Sequence, residues 1–424
     1  MRIAVVTGFA LLALAACVHP PGEHAAKPID YMGELRAAES GYAALADTTD
    51  ESGRPISLGQ KSAALQRLGT ARSWVGDTVG ALDAFDEAFY VKANLATDKP
   101  KKGLDEARAM LANHKVENAI AAIVREARGR QVVILNEAHH MPRDRAFALE
   151  VARELRKLGF EYLAMETLAP TVDDLARRGY PVAATGHYSQ EPEFGDYIRQ
   201  SLALGYQPVA YEQSADLLER KDPDMFASME AREEAQAQNL VDRVFKDHPH
   251  ARVLIHVGYG HLAKGLTEMG DGRKLAWMAE RLRAKTGIDP LCIDQANAAQ
   301  SAPFTVRALE TVAFESRDDA AVVLRDSTQE HAYWPGSDAV EMQVIHRTAR
   351  TMNGRPDWLS MHGLRQPRAI PPKLLPKSGR RLVQAFVAGE SADAVPIDQV
   401  LVTAGEPLPV FMLPKGKFRF ALQD

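Results

Sequence analysis

Two adjacent histidines and a carboxylate stand directly behind a short apolar run in "QVVILNEAHHMPRDRAF", residues 131–147. Glu137, His139 and His140 are the residue types that take a proton from water and return it to a leaving group. Imidazoles and carboxylates also hold a divalent metal, whose bound water becomes the nucleophile. Similar groups recur downstream: Glu166 ends "YLAME", Glu212 ends "YQPVAYE", and Gly258, Gly260 and His261 follow "RVLIHV". Glutamate and histidine seldom sit in a sheet core without partners, so four successive strands each delivering one point to a single site.

Short β-branched runs at 132–135, 162–166, 206–212, 252–257 and 290–294 read as strands. Helical patterns over 145–158, 193–204, 225–247 and 273–285 separate them. That alternation predicts an α/β fold over 129–299: a mainly parallel sheet with helices on both faces, its ligand edge at the carboxyl ends of the strands. Residues 31–128 read as helical. Within them "ARSWVGDTVGALDAFDEAF" (71–89) resembles a tetratricopeptide-type hairpin turning at Gly76-Asp77, which makes a cap on the next domain or a protein-partner surface. From 300 to 424 the alternating runs "VQAFVAG", "DQVLVTAG", "LPVFML" and "KFRFAL" predict a small β-rich region with a Lys415-Gly416 turn.

The first residues read as a targeting segment. Arg2 precedes an apolar stretch that ends in "LAAC", which resembles a lipobox and makes Cys17 the lipidated residue of a membrane-anchored chain, with 1–17 as signal and lipobox. An ordinary secretory signal cut nearby is the alternative. Residues 18–30 follow as a tether, and Val18 after the cysteine favours the bacterial outer membrane, facing the periplasm. Cys292 is then the only other cysteine, so no internal disulfide forms; it reads as a small core residue. A formal net charge of -5 and pI near 6.3 exclude bulk attraction to nucleic acid.

The block "NEAHHMPRDRAFALEVARELRKLGFEYLAMET", the helix "REEAQAQNL" and "HVGYGHLAKGL", in that order, resemble the superfamily that joins erythromycin esterases, ChaN haem-uptake lipoproteins and the TIKI/TraB group. By that resemblance Glu137, Glu166 and His261 are site residues, as are Arg232 and Asn239 of the helix. His139 matches the histidine of the ChaN and TIKI pattern, and His140 matches that of the esterases. The resemblance implies a water-activating hydrolase of an ester, lactone or peptide bond, acting on a small-molecule or peptide substrate. In the TIKI variant His139 and His261 ligate a divalent metal. The competing implication is a haem- or iron-binding lipoprotein, for which Tyr188, His187 or Tyr259 could be axial, and a third is a scaffold with a vestigial site. Arg143, Glu212, Gly258 and Gly260 are expected around the site. Asn136 stands where the family has glycine, and Gln236 where its helix has methionine.

Overall fold

The computed structural model describes residues 28–45, 57–93, 100–170, 174–213, 224–296 and 304–424. Cys17, the targeting segment and most of the tether lie outside the described residues. No helix among the described residues is long and apolar enough to cross a membrane.

The strands in chain order begin with β1 (His114–Asn118), β2 (Val132–Glu137), β3 (Tyr162–Met165), β4 (Gln207–Ala210) and β5 (Val253–Gly258). A hairpin follows, β6 (Leu266–Glu268) with β7 (Lys274–Ala276), and then β8 (Leu291–Asp294), β9 (Ala321–Asp326), β10 (Met342–Gln343) and β11 (Ile345–His346). A six-stranded sheet in the order β10-β8-β2-β5-β3-β4 forms the centre, with every pairing parallel. The reason is visible along each strand. β2 and β5 are buried at all their positions, as a parallel sheet covered on both faces requires.

Successive side chains divide between two cores. Val133, Leu135, Leu163, Met165 and Leu254 pack against helices Ala119–Ala127, Pro142–Lys157 and Pro192–Ala203. Val132, Ile134, Ala164, Ile255 and Val257 face helices Met225–Leu240 and Met278–Thr286. By the same alternation Glu137 and His256 continue the first face and Asn136 the second. The chain leaves β2 toward one face and β5 toward the other, and that divergence opens a crevice at their carboxyl ends.

Helices Leu58–Trp74 and Thr78–Ala93 form the expected hairpin, the first opened by a Ser57/Gln60 capping box. Gly76 turns between them at φ +81°, where a Cβ would lie 2.7 Å from the Gln399 carbonyl oxygen. Together with helix Tyr31–Ala43 they bury Leu35, Leu65, Leu68 and Trp74 against Leu382. That residue belongs to the antiparallel sheet of β15 (Arg380–Val387), β16 (Asp398–Thr403) and β18 (Phe418–Gln423). The minor strands β12 (Thr351–Met352), β13 (Arg355–Pro356), β14 (Gln366–Arg368) and β17 (Phe411–Leu413) complete the β-rich end.

Three expectations are corrected. Residues 114–118, placed among the helices, form β1, because they pair antiparallel with β9 some two hundred positions later. The helix expected from 273 begins only at Met278, since Lys274–Ala276 pairs with β6. The segment beyond 300 is not confined to its own sheet: β10 extends the central sheet beside β8, and helix Phe304–Ala313 packs its Ala308, Leu309 and Ala313 around Ala107.

Candidate functional site

Glu137 closes β2 opposite Gly258 in the register of β5. Its carboxylate is buried, and the fully buried Arg145, in the first turn of the following helix, grips it in a fork: Nε to Oε2 at 2.7 Å and Nη2 to Oε1 at 2.8 Å. Arg145 also donates to Glu191 Oε2 at 2.8 Å and to the His139 carbonyl at 2.9 Å, and its guanidinium lies over the Phe194 ring. Glu191 in turn caps helix Pro192–Ala203, accepting from the backbone of Glu193 and Phe194. Burial pushes the Glu137 pKa up, but the Arg145 charge outweighs it and holds the carboxyl far below the ordinary range.

An ionised Glu137 can only accept. His139 Nδ1, 2.9 Å from Glu137 Oε1, therefore carries a proton, and in the neutral ring the lone pair lies on Nε2. Tyr188 stacks on the imidazole at 3.8 Å between centroids, and Tyr259 meets it edge-on at 5.0 Å. Gly258 makes the arrangement possible: a Cβ there would overlap the His139 ring, lying 2.7 Å from Nε2, and would sit 3.2 Å from Glu166 Oε2. Nε2 thus faces the end of β5 beside Glu166.

Glu166 accepts the Gly258 amide at 2.5 Å and Arg232 Nη2 at 2.6 Å. Burial raises its pKa, and the charges of His261 and Arg232 bring it well below the usual value. Arg232 also binds Glu212, with Nη2 2.5 Å from Oε2, and Gln236 reaches the same carboxylate at 3.0 Å. Asn239, one turn further on, donates to the Tyr211 and Glu212 carbonyls at 3.0 and 2.9 Å and so fixes the loop after β4 to this helix. His261 points Nδ1 at Glu233, 2.7 Å away, and Nε2 toward Glu166, 3.6 Å away. Burial lowers its pKa, yet Glu233 and Glu166 together raise it above the ordinary histidine value.

The structure thus gathers Glu137, His139 and Glu166 round one cleft, lined also by Thr167, Tyr188, Phe194, His256, Val257 and Gly258, while Arg232 and His261 reach it through Glu166. Gly260 lies buried in the turn that carries His261. His256 sits beneath the cleft, edge-on to Phe194 and Tyr197 and 3.7 Å from Glu137, and burial pushes its pKa down to about 4.

Other expected site residues stand elsewhere. His140 turns away from the cleft and stacks on Phe85 of the helical unit, because the Glu137 hydrogen bond turns its neighbour inward. Arg143, on another side of the helix from Arg145, donates to the Arg347 carbonyl at 2.7 Å. Asn136 points to the opposite face from Glu137, donating to the Tyr259 carbonyl and to Asp294, both at 2.8 Å, and accepting from the Gln295 amide at 2.7 Å. It ties three strand ends together and adds nothing to the cleft. Arg145, Glu191 and Glu233 went unrecognised in the sequence. The one available signal was their nearness to named residues, Glu233 adjoining Arg232 and Arg145 lying on the turn that begins at Pro142.

Neither expected group fits these residues. Among the described residues no set of three His, Cys, Asp or Glu is spaced to hold a metal ion. The proposed pair His139 and His261 fails for a chemical reason: the Arg232 guanidinium, 3.4 Å from His261 Nε2, brings positive charge where a cation would need a donor. Haem fails on size and access. Beside His139 the cleft leaves no room for a macrocycle, and Tyr188 covers the face of the imidazole.

No family model and no curated protein matches the chain. Solved structures show remote similarity. One, described as bacterial protein toxins, is 14% identical over 64% of each chain with a TM-score of 0.32. RRSP, a MARTX toxin effector domain from Vibrio vulnificus CMCP6, is 16% identical over 64% of this chain and 62% of its own, with a TM-score of 0.30. A further structure of bacterial protein toxins is 13% identical over 66% and 68%, with a TM-score of 0.29. The alignments span just under two-thirds of the first two chains.

Proposed function

We propose that this protein is a cell-envelope hydrolase, anchored to the membrane through Cys17, that cleaves an ester, lactone or peptide bond by activating water at His139. The observation that carries the reading is the Glu137–His139 pair, 2.9 Å apart, with the carboxylate fixed by Arg145 and the free Nε2 aimed at the cleft. Glu137 holds the imidazole in one tautomer and stabilises the imidazolium that forms when Nε2 takes the proton from water. The hydroxide equivalent then attacks the carbonyl carbon. Arg232 and His261, held beside the cleft by Glu166, supply positive charge near the oxygen on which negative charge grows. The imidazolium returns its proton to the departing oxygen or nitrogen. Glu166 orients both cationic groups without supplying a proton, since it is held ionised.

The test is hydrolysis of a panel of fluorogenic esters, lactones and peptides by the detergent-solubilised chain. With an active substrate in hand, His139→Gln should lower turnover by about 10²–10⁴-fold, the usual contribution of a positioned base. Wild-type rates from a folded His139→Gln protein would end this reading.

A further inference from the structure

The mechanism makes no use of His140, although it is 5% exposed and has no hydrogen-bond partner on either ring nitrogen. Its ring lies flat on Phe85, 3.3 Å between centroids and 8° from parallel. Phe85 belongs to helix Thr78–Ala93, and its ring fits a notch in helix Leu58–Trp74 left by Gly69, where any Cβ would overlap Phe85 Cδ2. A glycine inside a helix disfavours that helix, so the notch is a local sacrifice that seats this one ring.

The same unit touches the other flank of His139. Trp74 packs on His187, with centroids 5.0 Å apart, and the Tyr31 hydroxyl donates to the Gln190 carbonyl at 2.6 Å. Between those two contacts stands Tyr188, whose ring stacks on His139. The helical unit therefore holds the residue after His139 on one side and the ring covering His139 on the other.

We propose that the N-terminal helical unit is a positioning element of the site, and that Phe85, acting through His140, keeps His139 turned toward Glu137. His140 serves as an aromatic plate, which explains why its nitrogens go without partners. A free ring nitrogen adds nothing to a stack, and the helical surface offers no group to meet it. Loss of the stack releases the turn 138–141, and His139 loses its fixed tautomer. The inference rests on His139 being the base of the site, but its test does not pass through turnover.

Nitrogen-15 spectra of the imidazoles report which ring nitrogen carries the proton. In the full chain His139 should show the pattern of a proton fixed on Nδ1. Phe85→Leu keeps bulk while removing the stack, and it should turn the His139 signal into that of a tautomer mixture while circular dichroism and cooperative thermal unfolding persist. His140→Ala should do the same, whereas His140→Phe should restore the wild-type pattern. A folded Phe85→Leu protein with an unchanged His139 signal would overturn the proposal. So would a His140→Phe protein that behaves like His140→Ala, since the imidazole itself would then be what matters. If the tautomer responds as described but no substrate is ever cleaved, the hydrolase reading falls and the positioning role stands; hydrolysis with an unresponsive tautomer gives the reverse.

Discussion

Replacing Arg145 by methionine is the perturbation whose size the structure defines best. The substitution keeps most of the volume and removes four hydrogen bonds: two to Glu137, one to Glu191 and one to the His139 carbonyl. The side chains of Glu137 and Glu191, 2% and 3% exposed, would be left buried without their cation. Breaking a buried pair from one side costs about 3–5 kcal/mol, since the orphaned charge keeps its desolvation penalty. Urea unfolding at pH 7 should show a loss of that order. The pH dependence separates this account from simple loss of packing. With Arg145 present, the folded-state pKa of Glu137 is depressed, so its contribution exists above the unfolded value near 4.3 and disappears as pH falls. Without Arg145, only the His139 hydrogen bond and the His256 charge oppose burial at Glu137, so its pKa rises and protonation relieves the strain on acidification. The gap between the two proteins should therefore narrow from pH 7 to pH 4, and Glu137→Gln added to Arg145→Met should recover part of the loss. A cost under about 1 kcal/mol at pH 7, or a gap that ignores pH, would refute the electrostatic argument.

Gly258→Ala puts a Cβ 2.7 Å from His139 Nε2, so it should cost about 1–3 kcal/mol in urea unfolding and impair hydrolysis nearly as much as His139→Gln. His140→Phe should be neutral or slightly stabilising at pH 7, because a shape-matched apolar ring removes an unmet polar group. Burial drives the His140 pKa down to about 3, so the wild-type chain loses stability as pH drops below the unfolded value near 6.5. Stability of the phenylalanine variant should fall less between pH 6.5 and 3, and parallel denaturation series would show it. Glu233→Gln removes the nearer of two carboxylates that raise the His261 pKa, so proton NMR titration should find its midpoint lowered. Because that raised pKa stabilises the fold only while His261 is protonated, the variant should be weakened mainly on the acid side of the wild-type midpoint.

Much of the central sheet was legible because β2 and β5 open with apolar runs, VVIL and VLI, and polar residues at the ends of such strands have only one edge to occupy. His139 and His140 could not be told apart in that way. Their difference lies in a single turn whose direction Arg145 and Glu137 decide. β1 was invisible for a different reason: "HKVEN" has neither alternation nor an apolar face, and it is a strand only because β9 is beside it. Arg145 and Glu233 escaped notice because a partner for a buried charge is a tertiary matter. Nothing in "PRDRAF" marks Arg145, rather than Arg143, as the one that turns inward.

The meeting of early and late segments has a consequence for how the molecule is made. Trp74 accepts a hydrogen bond from Gln399 through its carbonyl, Ile29 does the same for Gln423, and Leu401 donates its amide to Val75. Contacts more than three hundred residues apart must wait for the last strands to leave the ribosome, and such distant closures slow folding. Until then the cluster of Leu35, Leu65, Leu68 and Trp74 lacks the cover of Leu382 and Leu401. The nascent protein therefore carries its first helices without their sheet cover until synthesis ends, and chains arrested before β15 should expose that face to chaperones.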